Sequence, residues 1–441
     1  MEYKEFLKSA ANVVPSQRQL DWFDTEFYAF ICFTVNTYTD LEWGTGKEDP
    51  AIFNPTDLDC DEWVSAVKEA GMKGIVLTAK HHDGFCLWPS AYTEHSVKNS
   101  PYKGDIVREC AEACRRGGIK FGIYLSPWDR NSPYYGTEEY NDYYCNQLTE
   151  LLTNYGDLFI VWFDGACGEG PNGKRQVYDW KRYFSLIRKY QPNAVIFNDH
   201  GPDVRWCGNE AGAARRAEWA VVPSELCWNS EVQTGAGPLE GDISYLYNSS
   251  ENIGDLNVIM YSKGLVFCGA EIDMSIRPGW FWHEKEEPHS LERLMRTYIN
   301  SCGANTSFIL NVPPNPAGRV DPRDYARLRE FGAALRETFG DDKKIPCTVE
   351  HQADDSSTQT SYTVTLPETK EIRYIELRED LRFGQRIEHF RILCGGRCIY
   401  SGYTVGHRKI CPVKVSGKTF TVSITGARDT VMMRDITVYG E

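Results

Sequence analysis

The sequence predicts an α/β protein: a (β/α)8-like barrel followed by a C-terminal β-sandwich. Three observations lead there. From about residue 27 to 340, short apolar runs alternate with amphipathic segments of helical period. Alternation on that scale implies a parallel sheet, and its length favours a closed barrel over an open sheet. After Lys343-Lys344-Ile345-Pro346 the helical period disappears, and short runs of period two take over. The expected division is therefore 1–343, a catalytic barrel, and 344–441, a β-sandwich.

The elements follow in order. Residues 27–35 read as a strand. Residues 59–70 read as a helix with Trp63, Val64 and Val67 on one face. Residues 74–80 (Gly-Ile-Val-Leu-Thr-Ala-Lys) form a buried strand, and 105–116 a helix ended by Gly117-Gly118. A strand over 119–125 and a helix over 137–155 come next. Residues 158–165 (Leu-Phe-Ile-Val-Trp-Phe-Asp-Gly) are apolar enough to be buried on both faces until Asp164. A helix over 177–190 and a strand over 194–198 follow. The later repeats are less regular, with strands over 265–271 and 307–312 and helices over 291–301 and 325–339. In the C-terminal region the alternating runs are 361–366, 372–377, 389–393, 420–424 and 430–438.

The net charge of −14 argues against nucleic acid or acidic membranes as partners. No stretch approaches the roughly 20 apolar residues of a membrane span. The first residues lack the apolar core of a signal peptide, which points to the cytoplasm. The 15 cysteines are scattered without paired Cys-x-x-Cys motifs, so buried reduced thiols are expected, not a zinc site. The chain has 12 Trp, 25 Tyr and 20 Phe, enough both to fill a large core and to cover the apolar faces of sugars.

Asp164 is the first candidate for chemistry. A charge at the mouth of a buried strand is costly without a partner or a task, and barrels keep their chemistry at the C-terminal strand ends. A strand-end Asp also serves as the N-cap of the next helix. Glu210 lies in Trp206-Cys207-Gly208-Asn209-Glu210-Ala211-Gly212, a glycine-flanked tight loop after the strand that follows Asp164. On spacing alone it reads first as a solvated loop acid. As a pair, two such carboxyls can hydrolyse a glycoside, one ionised to attack and one protonated to release the leaving oxygen. His81 and His82 end another strand. On an extended chain adjacent imidazoles point apart, which suits hydroxyl contacts better than a metal pair. Tyr124, Glu42 and Trp43 also follow strands, as do Trp280 and Trp282. Each also fits a structural role, and their shared position is what groups them.

These segments resemble the α-L-fucosidases of glycoside hydrolase family 29 across roughly residues 20–340. Glu42-Trp43-Gly44, His81-His82-Asp83-Gly84-Phe85, Tyr124-Leu125-Ser126-Pro127-Trp128, Val161-Trp162-Phe163-Asp164-Gly165 and Gly208-Asn209-Glu210 come in the family's order and spacing. The Trp206–Glu210 loop is similar to the branch that prefers branched, Lewis-type α-1,3/1,4-linked glycans. The resemblance implies a retaining double displacement with no metal and no cofactor. It implies Asp164 as nucleophile and Glu210 as general acid/base. It gives His81, His82, Tyr124, Glu42, Trp43 and Trp162 to hydroxyl contacts and subsite walls, and Trp280 to the methyl side of fucose. A C-terminal β-sandwich also fits the family.

One position departs from the pattern. The family's first strand carries a sugar-contacting histidine where this chain reads Phe30-Ile31-Cys32-Phe33-Thr34. A thiol is a weak donor and acceptor, and the lost hydrogen bond is worth about 1–3 kcal/mol of transition-state binding. His200, in Asn198-Asp199-His200, is a positional candidate to replace it. The expectation is a retaining exo-α-L-fucosidase acting on fucosylated oligosaccharides. The alternatives are a glycosidase with altered specificity, such as for α-L-galactosides, and a weakly active or non-catalytic fucose-binding protein. A metal-dependent hydrolase would need a clustered ligand set that the sequence does not offer.

Overall fold

The computed structural model describes residues 3–227, 233, 234, 239, 241–243, 246, 252–353 and 358–440. Eight parallel strands close into a barrel: β1 (Phe27–Ile31), β2 (Gly74–Lys80), β3 (Lys120–Leu125), β4 (Ile160–Trp162), β5 (Val195–Phe197), β6 (Val204–Trp206), β9 (Gly269–Ser275) and β10 (Thr306–Asn311). An antiparallel pair, β7 (Val221–Pro223) with β8 (Leu265–Phe267), is inserted between β6 and β9. Around the barrel the order is β1-β10-β9-β6-β5-β4-β3-β2.

Period two sets what faces the axis. In β1, Tyr28 and Phe30 point into the barrel and Cys32 continues the row just beyond it. There they pack with Val76, Tyr124, Ile160 and Trp162. Phe27, Ala29 and Ile31 point outward to the helical layer. The barrel floor is closed from below. After α1 (Tyr3–Ala11), the short α2 (Gln17–Phe23) places Trp22 and Phe23 under the strands, and Gln19 Nε2 donates to the carbonyls of Asp203 and Phe267.

The remaining helices are α3 (Asn36–Thr39), α4 (Cys60–Glu69), α5 (Ile106–Gly117), α6 (Glu139–Asn154), α7 (Trp180–Tyr190), α8 (Leu256–Ile259), α9 (Leu291–Asn300) and α10 (Pro322–Phe339). Their starts are written locally. Asp59, Asp105, Asp179, Ser290 and Asp321 each accept a backbone N–H of the first helical turn. Two departures from the expected elements matter for the site. Strand β6 follows β5 after only residues 198–203, with no helix between. The single expected strand over 265–271 is two elements, β8 and the longer β9, separated at Cys268.

The C-terminal region is one six-stranded antiparallel sheet, not two separately bonded ones. Its strands are β11 (Thr348–Ala353), β12 (Thr360–Glu379), β13 (Ile387–Cys394), β14 (Arg397–Gly402), β15 (Lys409–Ala427) and β16 (Met433–Gly440). The runs 361–366 and 372–377 belong to one long strand, β12, which pairs with β11 over its first half and β16 over its second. The sheet has its own apolar core around Val364, Ile375, Phe390 and Val422. It meets the barrel at Glu26, where Arg378, His407 and Arg408 converge on one carboxylate just before β1. No helix of the described residues is long and apolar enough to cross a membrane. All 15 cysteines are free thiols, most of them buried.

Candidate active site

The C-terminal strand ends surround a cavity of about 170 Å³, the size of one monosaccharide. A larger cleft of about 620 Å³ lies at the opposite end of the barrel, beside Arg18, Lys120 and Phe159, far from the strand-end carboxyls. The smaller cavity is lined by ten of the residues singled out from the sequence, Cys32, Glu42, Trp43, His81, His82, Tyr124, Trp162, Asp164, Glu210 and Trp280, whereas Trp282 is not among them and donates its indole N–H to Asp321.

Period two carries Asp164 inward, in line with Ile160 and Trp162, while Phe163 packs outward. Its carboxylate is fixed at both oxygens. The Tyr124 hydroxyl donates to Oδ2 at 3.0 Å, and the Ala166 N–H donates to Oδ1 at 2.8 Å. Asp164 is not a helix cap: α7 begins at Trp180 and is capped by Asp179. Glu210 stands at the mouth, in the loop after β6 and thus one strand later than the sequence suggested. Burial raises the pKa of its carboxyl, opposed by a hydrogen bond from the Trp280 side chain and reinforced by Asp164 and Glu42.

The chain leaves β2 at Lys80 and turns at Gly84 (φ 79°), where a Cβ would lie 2.4 Å from Asp129 Oδ1. The histidines therefore sit in a loop, and both rings reach the cavity, their centroids 4.1 Å apart. Burial holds both imidazoles neutral, His82 pushed down to about 3 with help from Arg130. His82 Nδ1 meets Ser126 Oγ at 2.7 Å, which leaves Nε2 toward Asp164 Oδ2, 3.8 Å away. Glu42 is gripped by the N–H groups of Trp280 and Phe281 and by His283 Nε2. Trp43 is 58% exposed at the rim, its ring edge-on to Trp128. Cys32 is buried between Glu42 and Asp164. Burial and those two charges push its thiol pKa well up, so it stays protonated. His200 is not among the lining residues. Among the described residues no group of three His, Cys, Asp or Glu side chains is placed to hold a metal ion.

The alpha-L-fucosidase family model matches residues 9–225. Alpha-L-fucosidase 1 of Arabidopsis thaliana is 40% identical over 432 residues, covering 90% of this chain and 81% of that protein. The chain belongs to the α-L-fucosidase family. It is a member of glycoside hydrolase family 29 and is a glycoside hydrolase. The crystal structure of SpGH29 superposes with a TM-score of 0.85 at 37% identity, covering 97% of this chain and 98% of that one. A Ruminococcus gnavus family 29 fucosidase in complex with fucose gives a TM-score of 0.81 at 29% identity, covering 98% and 95%.

In this fucosidase-family barrel the cavity also holds acids that the sequence reading passed over. Asp199, after β5, packs against Gly165, and burial with the nearby Asp164 charge lifts its pKa to about 7. On β9, Ala270, Ile272 and Met274 face outward, so Glu271 and Asp273 face the axis. The alternation Ala-Glu-Ile-Asp-Met-Ser was the available signal. Glu271 lies deep, accepting the Trp162 indole N–H at 2.7 Å and the hydroxyl of Tyr28, which itself accepts from Trp22. Burial, with Asp273 adding to it, raises its carboxyl well above the usual range. Asp273 lines the cavity wall and accepts the Trp206 indole N–H at 2.9 Å.

Proposed function

We propose that this enzyme is a retaining exo-α-L-fucosidase that removes terminal α-linked fucose from fucosylated oligosaccharides, with Asp164 as nucleophile and Glu210 as general acid/base. One observation carries the reading. An Asp164 carboxylate that accepts two hydrogen bonds and a Glu210 carboxyl with a raised pKa line one sugar-sized cavity. In the first step Glu210 gives its proton to the glycosidic oxygen while an Asp164 oxygen attacks the anomeric carbon. The C–O bond to the aglycone breaks, and a covalent glycosyl-enzyme forms. In the second, the Glu210 carboxylate takes a proton from water, whose oxygen displaces Asp164 and regenerates both groups.

The other lining residues take binding roles in this reading. His81, His82, Glu42 and Tyr124 meet the sugar hydroxyls, with the neutral imidazoles able to donate and accept. Trp162 and Trp280 cover apolar ring faces, and exposed Trp43 meets the aglycone. The unit that does this work is 1–343, with 344–441 buttressing it. Two measurements test the assignment. Proton NMR of the first turnover of an aryl α-L-fucoside must show α-fucose before mutarotation. Asp164→Ala must abolish turnover; β-fucose appearing first, or an active Asp164→Ala, refutes it.

A second reading rests on Cys32. The thiol sits between Glu42 and Asp164, where a sugar hydroxyl would otherwise find a strong partner. This favours a wider specificity that includes α-L-galactosides, read out by comparing kcat/KM for the two aryl glycosides.

A further inference from the structure

Among the residues lining the cavity are five carboxyl groups, Glu42, Asp164, Asp199, Glu210 and Asp273, and neither lysine nor arginine. Double displacement uses two of the five, and Glu42 is held by backbone N–H groups and His283. Asp199 and Asp273 remain. Asp273 is the better placed of the two to meet a ligand. It projects from within β9, beside Ile309 of β10, and β9 stands across the barrel from β3, the strand of Tyr124. A molecule filling the cavity between these walls therefore touches Tyr124 on one side and Asp273 on the other. The Trp206 indole N–H, 2.9 Å from Oδ1, fixes the carboxyl plane.

We propose that Asp273 is a sugar-binding residue of this cavity, one that presents a carboxylic-acid O–H to a hydroxyl of the bound glycoside, with Trp206 as its positioning residue. The titratable groups facing it are all acids: Glu271 two residues earlier on its own strand, Glu210 beyond β6 and Asp199 beyond β5. An ionised carboxylate would find no cation among them, whereas a neutral acid donates one hydrogen bond and adds no charge. Burial, reinforced by Glu210 and Asp199, pushes the Asp273 carboxyl up to about 8. This role rests on the fucosidase reading for the identity of the sugar. It extends that reading to a wall the double displacement leaves unassigned.

The test is calorimetric titration of L-fucose into the wild type, Asp273→Asn, Asp273→Ala and Trp206→Phe across pH 6–9, with turnover of an aryl α-L-fucoside alongside. In the wild type, fucose affinity is expected to hold to about pH 7.5 and to fall about tenfold by pH 9. Asp273→Asn, which keeps a donor and cannot ionise, stays within about threefold of the wild type at pH 7 and loses the alkaline decline. Asp273→Ala binds about 10- to 100-fold more weakly at pH 7. Trp206→Phe keeps the decline but shifts its midpoint upward, because the indole N–H favours the ionised form. Unchanged affinity in Asp273→Ala overturns the proposal. So does an Asp273→Asn variant as impaired as Asp273→Ala, or one that keeps the wild-type pH dependence. If Asp273→Ala does not fold, Asp273→Asn and Trp206→Phe decide by themselves. A wild type that binds fucose but turns over no fucoside would refute the fucosidase reading and leave this one standing.

Discussion

Tyr124→Phe removes one hydroxyl from an otherwise unchanged site. The Tyr124 ring is fully buried against His81, Phe30 and Trp162, and phenylalanine keeps all of that packing. Only the hydroxyl is lost, and with it the 3.0 Å donor to Asp164 Oδ2. A hydrogen bond to a charged group contributes about 1.5–3 kcal/mol, which at 1.36 kcal/mol per decade is about 10- to 150-fold in kcat/KM. The Asp164 side chain is 27% exposed, so water can take part of the vacated position. The expected loss is therefore in the lower part of that range, about 10- to 30-fold. The assay is kcat/KM on a 4-nitrophenyl α-L-fucoside together with a thermal melt, whose midpoint should stay within about 2 °C of the wild type. A kcat/KM within twofold of the wild type would show that Asp164 does not depend on Tyr124. A drop in melting temperature matching the loss in rate would show that the hydroxyl supports folding, not the reaction.

Three further outcomes follow from the same geometry. Cys32→His should raise kcat/KM on fucosides if the buried slot admits the ring, or lower stability by about 1–3 kcal/mol through overpacking if it does not; unchanged activity with unchanged stability would remove Cys32 from the specificity argument. Because Glu210 must be protonated to release the aglycone, activity should be present below its raised pKa and be lost as pH rises through it. Removing the Trp280 side-chain hydrogen bond, which opposes that rise, should move this alkaline limb to higher pH in Trp280→Phe, and a limb that moves down or stays fixed refutes Glu210 as the acid. Gly165→Ala should cost at least tenfold in kcat, since its Cβ would lie 1.8 Å from Asp199 Oδ2 and must displace either Asp199 or the Asp164 backbone; wild-type kcat would show that the loop has slack.

The strand leading to Asp164 was legible because six apolar residues before a carboxylate leave few other readings, although its bonded part, β4, is only Ile160–Trp162, and strand β2 matched its expected limits at both ends. Glu210 was legible as a loop feature, whereas the histidine pair read as a strand end with its rings apart and instead lies in a loop with the rings 4.1 Å from each other, because the chain turns at Gly84. What the sequence concealed has physical reasons. Strand β6 has only three residues and follows β5 without a helix, so no period can be counted there. Strand β9 begins one residue after β8, which fused the two into one apolar run. Its inward acids read as the end of a strand because a carboxyl buried inside a barrel looks, in the sequence, like one exposed at its rim.

The meeting of Glu26 with the C-terminal sheet has a consequence for where this chain can be divided. Glu26 immediately precedes the first barrel strand, and burial alone would raise its carboxyl. Arg408, His407 and Arg378 overcome that and hold it well below the ordinary range. The same Arg408 grips Glu376 and the Tyr298 hydroxyl of α9. A fragment cut after Lys343 would keep the acid and lose Arg378, His407 and Arg408, leaving only the half-exposed Lys73, 4.0 Å away, to match a buried carboxyl under the strand that leads to Cys32. The pattern change at residue 343 therefore marks a shift in architecture that an ion-pair cluster spans, and the polypeptide's last hundred residues supply most of the electrostatic footing of its first strand.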